Sequence, residues 1–205
     1  MSKTLRHSIA SLKYLAVSLF ISFSINANSE PAKSSETTTP SVKSIKQGMM
    51  APDFTLTRLD GTQFKLSDYR HKKSVYMVFW TTWCTYCMEK IPKLKYTQAV
   101  LGKQIEIIAI DTSVKDSFKK MAQFQQDRNI NYPLAFDFGK KVTDLYGVWG
   151  TPTEFIIDIN GKIVHRDHVP YSISEHLSNW NMIDHRLSQK SLMANNKCDK
   201  DPAFC

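Results

Sequence analysis

Cysteine is scarce in this chain, with four in 205 residues. That is too few to staple a small fold together. It is also unnecessary where 42% of residues are hydrophobic and a core forms without cross-links. Whatever chemistry the cysteines carry is therefore free to be functional. Long apolar runs are lacking too: the one candidate, Leu15 to Ile25, is interrupted by serines and too short to cross a hydrocarbon core of about 30 Å. Acidic residues are missing ahead of Glu30, whereas Lys3, Arg6 and Lys13 precede that run. This is the layout of a secretory signal peptide over 1–27 with Ala27 as cleavage point; left uncleaved, it would be an N-terminal membrane anchor. A buried amphipathic helix would not gather its basic residues at the front. No cysteine lies near Ala27, which argues against a lipid-anchored product. Dense basic clusters among aromatics are absent as well. The chain has 27 Lys+Arg and 19 Asp+Glu, and without the leader 24 scattered positive residues face the same 19, a mild excess that excludes nucleic acid as the expected partner.

Residues 28–47, "NSEPAKSSETTTPSVKSIKQ", are rich in Ser, Thr, Lys and Pro and read as a flexible tether. The pattern changes at "APDFTLTRLDGTQFKL", where Phe54 and Leu56 stand opposite Phe64 and Leu66 across Asp60-Gly61, the signature of a short hairpin. "SVYMVFW" (74–80) and "QIEIIAID" (104–111) are continuous apolar runs of the kind found in doubly covered strands. A helix is expected from Cys84 to about Leu101, with Ile91, Leu94 and Gln98 along one stripe, and another with Val114, Phe118, Met121 and Ala122 on one face. A strand at Tyr132 to Phe136 follows, then a hairpin joining "TEFIIDI" to "KIVHRD" across Asn160-Gly161, and a closing helix marked by Ile173, Leu177, Trp180 and Leu187. No internal repeat is evident. The layout is α/β, a mixed central sheet flanked by helices, with an added N-terminal hairpin, over 48–188. Residues 189–205 form a polar tail holding the other two cysteines, Cys198 and Cys205.

Cys84 and Cys87 fall at the end of the first central strand, where α/β folds expose chemistry. Structural zinc wants four ligands, and the tail cysteines lie over a hundred residues away. His165 and His168 sit in a strand and its exit and read as solvated surface, so no metal and no cofactor is expected. A redox role fits better. At a helix start, the Cys84 sulfur faces unpaired N–H groups and the positive end of the helix dipole, which stabilise thiolate over thiol. Cys87, one turn on and pointing inward, is placed to attack a mixed disulfide formed on Cys84. The signal peptide puts this pair in an oxidising compartment, where two close thiols would not stay reduced.

"VFWTTWCTYC", "GTPTEFIIDINGKIV" and "APDFTL" together resemble the thioredoxin superfamily, and within it the exported TlpA/ResA type, from Gly48 to Leu187. The resemblance implies a thioredoxin-like fold and a thiol:disulfide oxidoreductase of the bacterial periplasm. It implies protein thiol and disulfide substrates and a membrane-borne redox partner. It also implies a cis bond at Thr151-Pro152 packed beside the disulfide, with Thr151 offering backbone groups to an extended substrate. Trp83 is either a flat docking wall or ordinary packing. Pro92, five residues beyond Cys87, bends the first helix.

The departures matter. Thioredoxins carry a buried Asp where this chain has Val78, and TlpA/ResA-type proteins a Glu where it has Lys90, with Glu89 beside it. A carboxylate commonly assists the proton of the buried thiol. Here Glu89 or another group must do so, unless Glu89 and Lys90 are only an exposed charged pair. A peroxidase would want a proline where Met77 stands, and a copper chaperone one more residue between its cysteines. Cys198 and Cys205 read as a local disulfide or a second redox pair. A non-catalytic adaptor with a permanently oxidised pair is the remaining alternative. Thr85 and Tyr86, between the cysteines, carry no charge, which favours reductase or isomerase over strong oxidant.

Overall fold

The computed structural model describes residues 45–167 and 169–184; the expected signal peptide, most of the expected tether, His168, Leu187 and the cysteine-bearing tail lie outside them. Two sheets form. In the smaller, β1 (Thr55–Thr57) pairs antiparallel with β2 (Gln63–Lys65). This is the expected hairpin: Gly61, at φ 85°, takes the left-handed conformation the turn requires, and the Asp60 carboxylate accepts the Thr62 N–H at 2.9 Å.

The main sheet has β3 (Ser74–Trp80) at its centre. β4 (Ile105–Asp111) lies parallel on one side and β5 (Leu134–Phe136) beyond it. On the other side β6 (Thr153–Ile157) runs antiparallel, followed by β7 (Ile163–Arg166). All seven residues of β3 are buried, as its unbroken apolar run demands of a strand covered on both faces. β5 starts two residues later than expected, because Pro133 has no N–H for the ladder; its carbonyl instead accepts from Ala109 at 3.0 Å. The β6–β7 hairpin forms as expected, with Gly161 at φ 85°. Ile45 is buried, and residues 48–51 run beside β7 through bonds such as Gly48 N–H to the Ile163 carbonyl at 2.8 Å.

Alternation along the strands divides the core in two. Tyr76, Val78, Trp80, Ile107 and Ile156 face one side. They meet Leu94 and Leu101 of α2 (Ile91–Leu101), Met121 of α3 (Phe118–Asp127), and Ile173, Leu177 and Trp180 of α5 (Ile173–Trp180). Val75, Met77, Phe79, Ile108, Ile110 and Phe155 face the other, against the hairpin residues Phe54 and Phe64 and against Val142 of α4 (Lys141–Leu145) and Tyr146 beside it.

The single helix expected over 84–101 is two: α1 (Thr85–Met88) and then α2. Pro92 can neither donate to the Met88 carbonyl nor avoid clashing with it, so it is tolerated only in the first turn of a new helix. The buried stripe of α2 is Leu94, Thr97 and Leu101; Gln98 is only half-buried. In α3 the stripe reduces to Met121, because Ser117 caps the helix and leaves Val114 outside it. Phe118 is exposed and stacks on Phe138. α4 has no apolar period and was not expected; the buried Asp137 nucleates it by accepting the Val142 and Thr143 N–H groups at 3.2 and 2.7 Å.

Candidate active site

Cys84 is the N-cap of α1, with extended backbone (φ −80°, ψ 106°), and its sulfur accepts the Cys87 N–H at 3.2 Å. Cys84 and Cys87 are joined as a disulfide with Cα atoms 5.3 Å apart, both nearly enclosed at 5% exposure. The sulfur therefore sits at a helix start and shares the Cys87 N–H with the Cys84 carbonyl, an environment that stabilises a thiolate once the bond is reduced.

Two acids that sequence reasoning missed lie near the loop before the pair, and one of them, Asp116, holds it. Asp116 accepts both the N–H and the hydroxyl of Thr82, at 2.6 and 3.0 Å, and the Ser117 N–H at 2.8 Å. Asp111 closes β4 in register with Trp80 and is fully buried. One of its oxygens accepts the Ser113 N–H at 2.8 Å and the other has no donor. Burial, reinforced by the charge of Asp116 and opposed by the Ser113 bond, pushes this carboxyl up to about 8. Asp111 ends an apolar strand and Asp116 lies in the polar loop after it, and no local signal distinguishes either from surface Asp.

Trp83 is half exposed, at 54%, and its indole N–H donates to the Val114 carbonyl at 2.9 Å, which fixes the ring plane. It forms one wall of a cleft of about 270 Å³ whose lining includes Thr81, Trp149, Gly150 and Thr151. Thr151-Pro152 is cis. Thr153 follows it in register with Phe79, which brings this segment to the same end of the sheet as the cysteine loop. Trp149, not foreseen, is the most exposed aromatic of the cleft, at 92%.

Lys90 and Glu89 are not an exposed charged pair. Glu89 is exposed, but Lys90 turns back under the helix junction and its ammonium meets the Glu154 carboxylate at 2.7 Å. Glu154 is 2% exposed, and its other oxygen accepts the Tyr76 hydroxyl. An inward-facing Glu in the apolar run "TEFIIDI" was the available sequence signal. Among the described residues, no three His, Cys, Asp or Glu side chains gather as a metal site, and no helix is long and apolar enough to cross a membrane.

A cysteine pair at the N-terminus of a helix, a cis-proline at the same end of the sheet and a five-stranded mixed sheet beneath define a thioredoxin-like protein. The chain belongs to the AhpC/TSA family, whose model matches residues 47–166. It is 35% identical over 120 residues to the thiol-disulfide oxidoreductase ResA of Geobacillus thermodenitrificans (strain NG80-2), covering 58% of this chain and 67% of that one. Among solved structures it resembles a protein assigned as the thiol:disulfide interchange protein DsbE of Chlorobium tepidum. There the TM-score is 0.58 and the identity 30%, over 67% of this chain and 99% of that one. It also resembles the exposed lipoprotein thioredoxin Etrx1 of Streptococcus pneumoniae strain TIGR4, with a TM-score of 0.55 and 27% identity over 62% of this chain and 99% of that one. Fold, cysteine pair and relatives agree on the enzyme class: a thioredoxin-like thiol:disulfide oxidoreductase of the ResA type.

Proposed function

We propose that this is an exported enzyme that reduces or isomerises disulfides in protein substrates, with Cys84 as nucleophile and Cys87 as resolving thiol. The observation that carries the assignment is the capping position of the Cys84 sulfur, which receives the Cys87 N–H at 3.2 Å. In the reduced enzyme the Cys84 thiolate attacks one sulfur of a substrate disulfide, forming a mixed disulfide and expelling the first substrate thiolate. The Cys87 thiolate then attacks Cys84, restoring the Cys84–Cys87 bond and releasing the second substrate thiolate. Two electrons pass to substrate, the expelled thiolates take up two protons, and a membrane-borne dithiol partner returns the electrons. Trp83, Thr151 and Pro152 bound the docking site, the tryptophan as an apolar wall and the Thr151 backbone as a pairing edge for an extended chain.

Export rests on the basic-then-apolar leader over 1–27, followed by the tether 28–47 and the catalytic domain 48–188. The reduction potential of the Cys84–Cys87 pair, measured with Cys198 and Cys205 replaced by Ser, tests the direction. A value near about −270 mV supports an electron donor; one near about −120 mV identifies a disulfide-forming oxidant and overturns the proposal.

A further inference from the structure

Cys87 has to become a thiolate before it can resolve a mixed disulfide, yet it is 5% exposed and belongs to the apolar cluster that includes Tyr76, Val78 and Leu94. Burial in apolar surroundings favours the thiol. The charges on this face of the sheet therefore bear on the step, and the principal pair is Lys90–Glu154. The Lys90 N–H donates to the Cys87 carbonyl at 3.1 Å, so the lysine is one turn from the thiol. Glu154 pairs in register with Val78, a member of the same apolar cluster as Cys87. The acid thus reaches this cluster from β6 rather than from β3 or the helix.

Glu154 is poorly suited to take the thiol proton itself. One oxygen is occupied by the Tyr76 hydroxyl and the other by the Lys90 ammonium. Its influence is electrostatic, strong because Glu154 is buried away from water, and that of Lys90 is electrostatic too, although its side chain is 34% exposed and so partly screened. Other polar groups surround the pair. The Lys93 ammonium of α2 donates to the Pro170 carbonyl at 2.9 Å and feels the charges of both Glu154 and Lys90. Tyr132 lies near Tyr76, and burial raises both phenols above their usual range, so they remain neutral. Asp167 donates its N–H to the Glu154 carbonyl but turns its carboxylate to Arg166. His165 of β7 and His176 of α5 pack on Trp180. Cys84, on the far side of Cys87, is the reaction partner.

We propose that Lys90 and Glu154 are opposed positioning residues for the resolving step: Lys90 stabilises the Cys87 thiolate, Glu154 disfavours it, and their pairing sets the pH at which resolution proceeds. The inference rests on the roles given above to Cys84 and Cys87. In the step itself the Cys87 thiol releases its proton to solvent, its sulfur forms a bond to Cys84, and the bond from Cys84 to the substrate breaks. The electron pair leaves on the substrate sulfur, which takes up a proton. Removing Glu154 leaves the Lys90 and Lys93 charges unopposed, whereas removing Lys90 leaves a buried carboxylate with only a phenol as donor. The two substitutions therefore push the thiol in opposite directions, which a merely structural ion pair would not do.

The test uses the reduced full chain with Cys198 and Cys205 replaced by Ser, reacted with dithiobis(nitrobenzoate). The first coloured thiolate reports attack by Cys84; the second reports resolution by Cys87. The rate of the second phase is followed from acid to alkaline pH. For Glu154→Gln the midpoint should move down by about one pH unit, for Lys90→Met up by about one, and the double variant should return close to the parent. The first phase should keep its midpoint in all three. Midpoints that stay fixed, or move the same way in both single variants, overturn the proposal. Should Glu154→Gln fail to fold, Lys90→Met alone decides: an upward shift supports the proposal and an unchanged midpoint overturns it. A parent chain that releases no second thiolate would refute the Cys84–Cys87 roles themselves, a result distinct from either.

Discussion

Replacing Asp111 with Asn should flatten the dependence of stability on pH. Asp111 is fully buried at the end of β4, with one oxygen lacking a donor and the Asp116 charge beside it, and its carboxyl is pushed from 3.8 to about 8. Between those values the folded chain keeps a proton that the unfolded chain has released. Folded stability from this group is therefore complete below about pH 4 and is lost as pH rises toward about 8. The slope is about 1.4 kcal/mol per pH unit, so from pH 5 to pH 7 the parent should lose about 2.7 kcal/mol through this one carboxyl. Asn has the shape of the protonated acid and no charge to gain. Urea unfolding of the oxidised chain at several pH values reads the difference: at slopes of about 1–3 kcal/mol per molar, the gap between variant and parent midpoints should change by roughly 1–2.5 M over that range. The parent should approach or fall below the variant as pH rises. Parallel profiles for the two proteins would refute the argument, because every other titrating group is common to both.

Three further outcomes concern the cysteines and the core. In a Cys87→Ser chain, reaction with a protein disulfide should stop at a mixed disulfide on Cys84, identified by mass spectrometry of its peptides; turnover without any trapped adduct would remove Cys87 from the resolving role. A peptide joining Cys84 to Cys198 or Cys205 in that variant would make the tail a second redox pair, and no trace of one would end that idea. Phe155→Ala removes a fully buried ring with edge contacts to Phe79 at 5.9 Å and Tyr146 at 5.3 Å, and a guanidinium, that of Arg166, 5.2 Å from its centre. Chemical unfolding should register a loss of about 3–5 kcal/mol. A loss below about 1 kcal/mol would mean the two aromatic layers close over the cavity.

The sequence by itself determined what depends on near neighbours along the chain. An unbroken apolar run makes β3 a central strand whatever surrounds it, because no polar face is left to meet water. Asp60-Gly61 and Asn160-Gly161 mark hairpins because glycine alone takes φ near 85° without steric cost. Cys84 and Cys87 were recognisable as a redox pair because their spacing, a strand before them and a helix after them all lie within a few residues. What only the tertiary structure decided depends on residues far apart in the chain. Lys90 and Glu154 are 64 positions apart and became partners because β6 lies beside β3, with Glu154 facing the helix junction that carries Lys90. Asp116 secures Thr82 across 34 positions. Asp111 acquired its raised pKa from burial that its own sequence, the end of an apolar strand running into a polar loop, leaves undecided. α4 forms where periodicity is absent because Asp137 supplies its first N–H groups with an acceptor. Periodicity reports which side of an element is apolar; which charge meets which is set by sheet register and strand order, and those exist only once the chain has folded.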